Sequence, residues 1–434
     1  MLSYYFELAL RSFKAAKGLT VLMLLTIALG VGASMTTLAI FHVLSGDPIP
    51  HKSDQLFNIQ LDAWPMRGYE AGQEPTLQLS RQDAQNLLRA AKADRQVMMV
   101  GGGLLVEPVE PGQSAMQART RYASADFFAM FDAPFALGTG WTAADDAAEA
   151  RVVVLSHSAN QRLFGGADSR GKTLNLRDKP FRVIGVLAPW RPVPHYYDLT
   201  TGKFNPAEDL YLPFATAIGL KFGTSGNFNC WAEHASEDSR SVGAPCAWIQ
   251  YWAELGTPAK AEAYLQYLKN YSDQQRQAGR FERPTNVRMR PVMDWLATSK
   301  VVPADLGLQL WLAFGFLAVC LVNTVSLLLA KCLRRSGEIG VRRALGASRR
   351  AIFAQFLVEA GTLGLAGGLL GLLLTWAGLW AVRQGSNPYA ALVGLDGPML
   401  LTTLGLALLA SLLAGLLPAW RACQVTPALQ LKTQ

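Results

Sequence analysis

Charge is what this chain has least of. Only 17% of its 434 residues are Asp, Glu, Lys or Arg, while 50% are apolar; an ordinary soluble domain carries about 25% charged residues. That balance excludes a simple water-soluble globule. Histidine is scarcer still: His42, His51, His157, His195 and His234 are scattered along the chain, and neither an HExxH nor a GxSxG pattern occurs. A zinc-peptidase helix and a hydrolase nucleophile elbow are thereby excluded. No internal repeat or low-complexity tract is evident, so a stacked-repeat architecture has no support. The expectation is a chain with no enzyme active site, no metal site and no cofactor of its own.

What the sequence does hold is long uncharged runs. Thr20 to Leu44 and Leu306 to Ala330 are each 25 residues without a formal charge. Ala351 to Val382 has one glutamate in 32 residues, and Met399 to Ala419 has none in 21. A helix needs about 20 apolar residues to cross the hydrocarbon core. Four membrane spans are therefore predicted, at 20–44, 304–330, 351–382 and 399–419. A cleaved signal peptide would have an apolar region of about 7–15 residues followed by a small-residue cleavage site. The first run is longer and ends in HVLSGDP, which favours a retained anchor.

Basic residues gather on three segments. Residues 1–19 hold Arg11, Lys14 and Lys17; the loop 331–350 holds Lys331, Arg334, Arg335, Arg342, Arg343, Arg349 and Arg350; the tail 420–434 holds Arg421 and Lys432. Set against Glu7 and Glu338, their excess is larger than the net charge of the whole chain, +8. The turn 383–398 has only Arg383 against Asp396. Short cytoplasmic loops collect Lys and Arg, so both termini and the loop 331–350 are expected in the cytoplasm of a bacterial inner membrane. Residues 45–303 then lie outside, in the periplasm. The basic charge is a topology signal, and no nucleic-acid partner is implied.

The outer region is long enough for two subdomains. Gln55 to Leu61 reads as a strand, and SRQD at Ser80 to Asp83 is a capping box that opens a helix. Val152 to Leu155 is a strand followed by a short helix capped by Ser156 or Ser158. TLNLRDKPFRVIGVL reads as a hairpin turning at Arg177 to Pro180. AKAEAYLQYLKNYSDQQRQAG is a helix, and TNVRMRPVMDW a strand returning to the membrane. The predicted fold is a membrane protein of four transmembrane helices, with a large extracytoplasmic α+β domain (porter-like plus a second subdomain) inserted between helices 1 and 2.

Cys230 and Cys246 are the only cysteines of the outer region. In an oxidising compartment they suggest a disulfide, two free thiols being the alternative. With His234 they offer too few ligands for zinc. Cys320, Cys332 and Cys423 fall in or near the membrane.

One stretch imitates a nucleotide site. GADSRGKT, Gly166 to Thr173, matches GxxxxGK[ST] in every position. Phosphate binding needs a buried strand before the loop and a helix after it, whose N-terminal amides cradle the phosphates. Here a short helix precedes and a strand follows, so the match reads as a glycine-rich turn.

RRSGEIGVRRALGASRR, Arg334 to Arg350, carries six arginines against one glutamate. Ser336 suits the cap of a short helix, with Glu338 in the first turn where the dipole favours a carboxylate. Gly346 suits the left-handed residue past its end, and Ser348 can cap the next helix. The result is a helix–turn–helix elbow showing Ile339, Arg342, Arg343 and Leu345.

Here EIGVRRALGAS followed by FLVEA resembles the cytoplasmic loop and third span of the MacB/FtsX-type ABC transporter permeases. ELALRSFKAAKGLTVLMLLTIALGVG resembles the family's amphipathic N-terminal helix and first span. VVVLSHSANQRLFGGADSRGKTLNLRDKPFRVIGVL is similar to the periplasmic core domain of the MacB branch, and PAWRACQVTPALQLK looks like the usual tail. The resemblance implies that Glu338, Ile339, Gly340, Arg342, Arg343, Leu345 and Gly346 form a coupling helix docked on an ABC ATPase. The expectation is that the ATPase is a separate cytoplasmic dimer, holding ATP and Mg. A second permease copy or a related permease would complete the transporter, and a periplasmic adaptor and outer-membrane channel are further partners of the branch. ATP-driven closure would pass through the first two spans to the outer domain and propel a periplasmic substrate, which is efflux by mechanotransmission. The alternative is an FtsX-like regulator acting on an envelope enzyme without transport. The insertion Lys221 to Ile249 departs from the family pattern.

Two features of the third span remain. Glu359 must face protein or water, since a charge inside the bilayer is costly; a structural role near the elbow is the expectation. Gly361, Gly364, Gly367, Gly368 and Gly371 make a small-residue face for close helix packing, either within the bundle or at a dimer seam.

Overall fold

A computed structural model describes residues 2–107, 114–232, 238–395 and 397–423. The chain divides into two compact units, Met1–Ser45 with Val302–Gln434, and Gly46–Val301. His234, Asp396 and Lys432 lie outside the described residues, as do 424–434 of the expected tail.

In the first unit, four of the described helices are long and apolar enough to cross a membrane: Lys17–Ser45, Ala304–Arg334, Arg349–Arg383 and Gly397–Arg421. A helix Leu2–Ala15 precedes them. Each span overruns its apolar stretch, because backbone hydrogen bonds continue into polar flanks until a cap or break stops them. The core joins Met23, Ile27, Val31 and Met35 of the first span to Leu317 and Leu328 of the second, Leu363 of the third and Ala407 of the fourth.

Lipid tails are as apolar as leucine, so association within the bilayer depends on close fit rather than on expulsion of water. The glycines of the third span supply that fit on two faces. A Cβ at Gly364 would collide with Ser411, whose Cβ lies at 2.6 Å, and one at Gly368 would lie 2.7 Å from Ala407 Cβ, both on the fourth span. A Cβ at Gly367 or Gly371 would instead meet Ile27 at 2.7 Å or Val31 at 3.1 Å on the first span. Gly361 is looser, with Leu412 at 3.6 Å. Residues four apart share a helix face, which is why 364 and 368 serve one neighbour and 367 and 371 another. Both faces are occupied within the bundle.

The second unit is built on one connected path of strands. Their order is Val287–Pro291, Leu56–Leu61, Cys246–Glu254, Arg95–Val106, Met116–Ala123, Leu210–Pro213, Val152–Leu155, Lys179–Leu187 and Phe135–Gly138. Neighbours are antiparallel except Met116–Ala123 with Leu210–Pro213 and Val152–Leu155 with Lys179–Leu187. The two expected subdomains thus share a continuous sheet. Helices Arg81–Ala90 and Pro258–Gln277 bury Ala84, Leu87, Tyr264 and Leu268 in its core. Ser80 caps the first by accepting from Asp83 N at 3.2 Å, and Asp83 also accepts from Tyr271 at 2.7 Å, tying the two helices together.

Three local expectations are settled or changed. Ser156 rather than Ser158 caps the helix His157–Phe164. The hairpin turn is only Arg177 and Asp178, both at positive φ, and Lys179 and Pro180 already belong to the strand. The strand of TNVRMRPVMDW stops at Pro291, and Val292–Thr298 is a helix; proline has no N–H with which to extend a ladder. Cys230 and Cys246 face each other across an antiparallel pair and are joined by a disulfide, Cα to Cα 4.0 Å.

A deeply buried charge of this domain is Arg121, paired with Asp198 at 2.5 Å and with Glu208. Tyr197 donates to Glu208 Oε2 at 2.7 Å. Burial alone would raise the Glu208 carboxyl, but Arg121, with help from His195 and Tyr197, holds it well below the usual carboxylate range.

The glycine faces yield a paired test. Gly364→Ala is expected to lower the thermal midpoint of the detergent-solubilised chain by the equivalent of about 1–3 kcal/mol, the usual cost of overpacking. Gly361→Ala should leave it unchanged, since its Cβ meets only ordinary contact. Equal midpoints for the two variants would remove the packing argument.

Candidate functional site at the elbow between the second and third spans

The second span ends at Arg334, Arg335 alone leaves the helical run, and a nine-residue helix, Ser336–Ala344, follows. Ser336 is therefore the first residue of that helix and not its cap. The span arrives so close to the elbow that backbone bonds close the turn, Arg335 N to Cys332 O at 3.1 Å and Ile339 N to Arg335 O at 3.1 Å. At the far end Gly346 stands at φ +101°, where an L side chain is strained. Ser348 Oγ then accepts from Ala351 N at 3.2 Å and starts the third span.

The elbow helix has an inner and an outer face. Ile339 is 6% exposed and packs with Cys332, Ile352, Phe356, Ala419 and Cys423 of the same chain; Gly340 beside it is buried. These two expected docking residues are thus not available to a partner. The reason is rotational: the neighbouring spans turn position 339 inward, and apolar character alone does not say which way a short helix faces. The outward stripe is Gly337, Val341 and Ala344, with Leu345 just past the helix end, the i, i+4, i+7, i+8 spacing of one helix face. Leu345 is 83% exposed and Val341 49%.

Beneath the elbow lies a chain of charges. Glu359 is 1% exposed and meets Lys331 Nζ at 2.5 Å. Lys331, expected among the loop charges, is itself buried in the last turns of the second span and lies 4.7 Å over the Phe13 ring. The contact is an ion pair without an aligned hydrogen bond. Ser12 of the N-terminal helix donates to Glu359 Oε1 at 2.7 Å, and Arg335 donates to Ser12 Oγ at 2.8 Å. Arg335 continues to Glu338 at 3.0 Å, Glu338 to Arg342 at 2.7 Å, and Arg342 to Gln355 at 3.1 Å. Arg343 donates to the Cys423 carbonyl at 3.3 Å. Arg342 and Arg343, read from the sequence as outward-facing, are therefore engaged within the chain. Ser12, Lys331, Arg335 and Gln355 went unnoticed as members. The lone membrane carboxylate was the available signal, since it requires a cation and Lys331 closes the adjoining apolar run.

This network ties the N-terminal helix, the ends of the second and third spans and the elbow helix into one unit. Elsewhere, GADSRGKT sits after the helix His157–Phe164 and before the strand Thr173–Leu176, and Lys172 Nζ lies 5.0 Å over the Phe164 ring. That element order is the reverse of a phosphate cradle.

Four membrane-spanning helices, a large extracytoplasmic α+β domain between the first two and an elbow helix after the second define a permease-type membrane protein. Residues 20–270 match the MacB-like periplasmic core domain and residues 310–427 the FtsX-like permease C-terminal domain; the chain belongs to the MacB/FtsX-type ABC permeases. It is 27% identical over 344 residues to the pyoverdine export ATP-binding/permease protein PvdT of Pseudomonas aeruginosa, covering 78% of this chain and 46% of that one. It is 24% identical over 434 residues to the macrolide export ATP-binding/permease protein MacB of Azoarcus sp., covering 98% of this chain and 59% of that one. The chain thus spans about half the length of these curated relatives. Among solved structures, the periplasmic region of MacB from Actinobacillus actinomycetemcomitans aligns with 58% of this chain and 94% of its own, at 15% identity and a TM-score of 0.38.

The ion pair invites a double-mutant cycle. Removing one partner of a buried pair costs about 3–5 kcal/mol, because the other charge is stranded. Glu359→Leu should therefore lower the thermal midpoint sharply, and adding Lys331→Met should recover most of the loss. A double variant as unstable as the sum of the singles would show the two residues to be uncoupled.

Proposed function

We propose that this chain is the transmembrane subunit of an ABC exporter, coupling ATP hydrolysis by a partner ATPase to movement of its extracytoplasmic domain. The observation that carries the reading is the elbow: a short helix braced from within by Ile339 and the Glu359 network, with Val341, Ala344 and Leu345 left bare on its outer face. In this reading an ATPase dimer seats the stripe in an apolar groove, and its closure moves the elbow together with the spans. The first two spans are covalently continuous with the outer domain, so their movement drives that domain and expels a substrate already outside the membrane. ATP and Mg belong to the partner, and the reversed element order around Lys172 supports the absence of a nucleotide site in this segment. A second permease copy or a relative completes the transporter, with an adaptor and an outer channel beyond it. The names of the relatives, pyoverdine export and macrolide export proteins, support export over envelope regulation.

Orientation follows from the basic loops. A cysteine placed at Ser348 should be labelled only from the cytoplasm, and one at Ser114 only from outside; outside labelling of position 348 in intact cells would invert the topology.

The coupling reading is tested at the bare stripe. Interface anchors of this kind cost about 2 kcal/mol or more when lost, so Val341→Asp with Leu345→Asp should abolish co-purification of the ATPase while the permease remains inserted and folded. Lys172→Ala should change neither binding nor ATPase activity. Undiminished ATPase binding by the Asp double variant would refute docking at this face.

A further inference from the structure

We propose that the cleft between the helices Arg81–Ala90, Ala143–Ala147 and Phe214–Gly219 of the outer domain binds a small organic amine, whose ammonium pairs with Asp146. The site lies wholly within the outer domain and stands apart from the elbow reading. Its cavity is about 730 Å³, the size of a pocket for a drug-sized molecule. Leu88, Met98, Phe214 and Ile218 give it apolar walls.

Most of the charges around the cleft have an opposite charge beside them, and Asp146 does not. Asp94 is bound by Lys260 at 2.5 Å, and Arg95 by Glu254 at 3.0 Å with Asp126 also acting on it. Asp238 is bound by Arg240 at 3.0 Å, with Lys221 nearby, and Asp238 and, more weakly, Glu149 act on Arg81. Arg89 is exposed at the rim. Asp146 has no such cation: its Oδ1 accepts from Ala215 N at 3.0 Å, and no basic side chain contributes to its electrostatics. Burial pushes its carboxyl up to about 6, with only the Ala215 N–H opposing.

Two further polar atoms of the cleft lack partners. Gln85 Oε1 is buried without a donor, and Arg81 Nε is buried without an acceptor. Buried polar atoms left unpaired cost free energy that a ligand can recover. An ammonium offers three donors, which suits Asp146 and Gln85; an oxygen elsewhere on the ligand suits Arg81. The ligand class is thus an amine with an apolar body and an oxygen acceptor.

Monodansylcadaverine, a primary amine joined through a sulfonamide to a naphthalene ring, has all three features. Its anisotropy is to be followed with the detergent-solubilised full chain, beside its N-acetylated, uncharged analogue. The wild type should bind the amine saturably at about pH 7.5, where Asp146 is ionised, and more weakly at about pH 5, where it is protonated. Asp146→Asn, which keeps the oxygen that receives the Ala215 N–H, should weaken binding about tenfold or more, and so should acetylation of the probe. Ile218→Trp, which fills the cleft, should abolish binding. Equal affinity for the acetylated probe, full binding by Asp146→Asn, or no saturable binding by the wild type would each overturn the proposal. Should Asp146→Asn misfold, the acetylated probe and Ile218→Trp still decide it. None of these measurements involves the ATPase, so a negative result leaves the coupling reading untouched.

Discussion

The part of this structure on which the rest of the membrane unit depends is the pairing of Glu359 with Lys331. A carboxylate in the third span cannot face lipid, where each unpaired charge costs several kcal/mol or more. Its cation comes from the second span and its hydrogen bond from Ser12 of the N-terminal helix. Those requirements fix the rotation of three helices at once, because turning any one of them strands a charge. Arg335 then carries the same constraint outward to Glu338 and Arg342, so the elbow helix inherits its orientation from an interaction inside the bundle.

The glycines complete this constraint at the level of distance. Ion pairs set rotation but tolerate variation in separation, whereas a glycine facing Ile27 or Ala407 at less than 3 Å from where its Cβ would be does not. The outer domain uses a related device: Arg121 holds Asp198 and Glu208 in the interior, and Tyr197 and His195 crowd the Glu208 carboxylate. In both units a buried charge with several partners specifies one arrangement, while the apolar residues around it would accept many.

Spans, elbow, outer α+β domain and the cysteine pair were legible because each rests on local pattern: run length, cap residues, left-handed glycine, strand alternation. The inward side of the elbow was not. Ile339, Val341 and Leu345 are all apolar, and a nine-residue helix can present any of them to a partner; only the packing of Ile352, Phe356 and Ala419 around Ile339 settles the matter. Lys331 was misplaced for a similar reason. As a sequence it terminates an apolar run and counts as a loop charge, yet its four-carbon stem lets the helix continue while the ammonium reaches back to Glu359. The cleft at Asp146 was invisible, since its walls come from segments more than a hundred residues apart.

The arginines that dominate the elbow sequence therefore have a different weight from the one their number suggests. Arg335 and Arg342 are held by Glu338, Ser12 and Gln355, and Arg343 by the Cys423 carbonyl. Reversing their charge would break the brace as well as any contact with a partner, and the two effects would look alike. The exposed apolar residues separate them. Val341 and Leu345 contribute little to the brace, and in the coupling reading proposed above they are what the elbow offers to the ATPase. Interfaces draw most of their binding energy from a few buried anchors, while surrounding charges tune encounter and specificity. In that reading the elbow fits the division: a basic frame, braced from beneath, that holds two exposed apolar residues as anchors for the proposed ATPase.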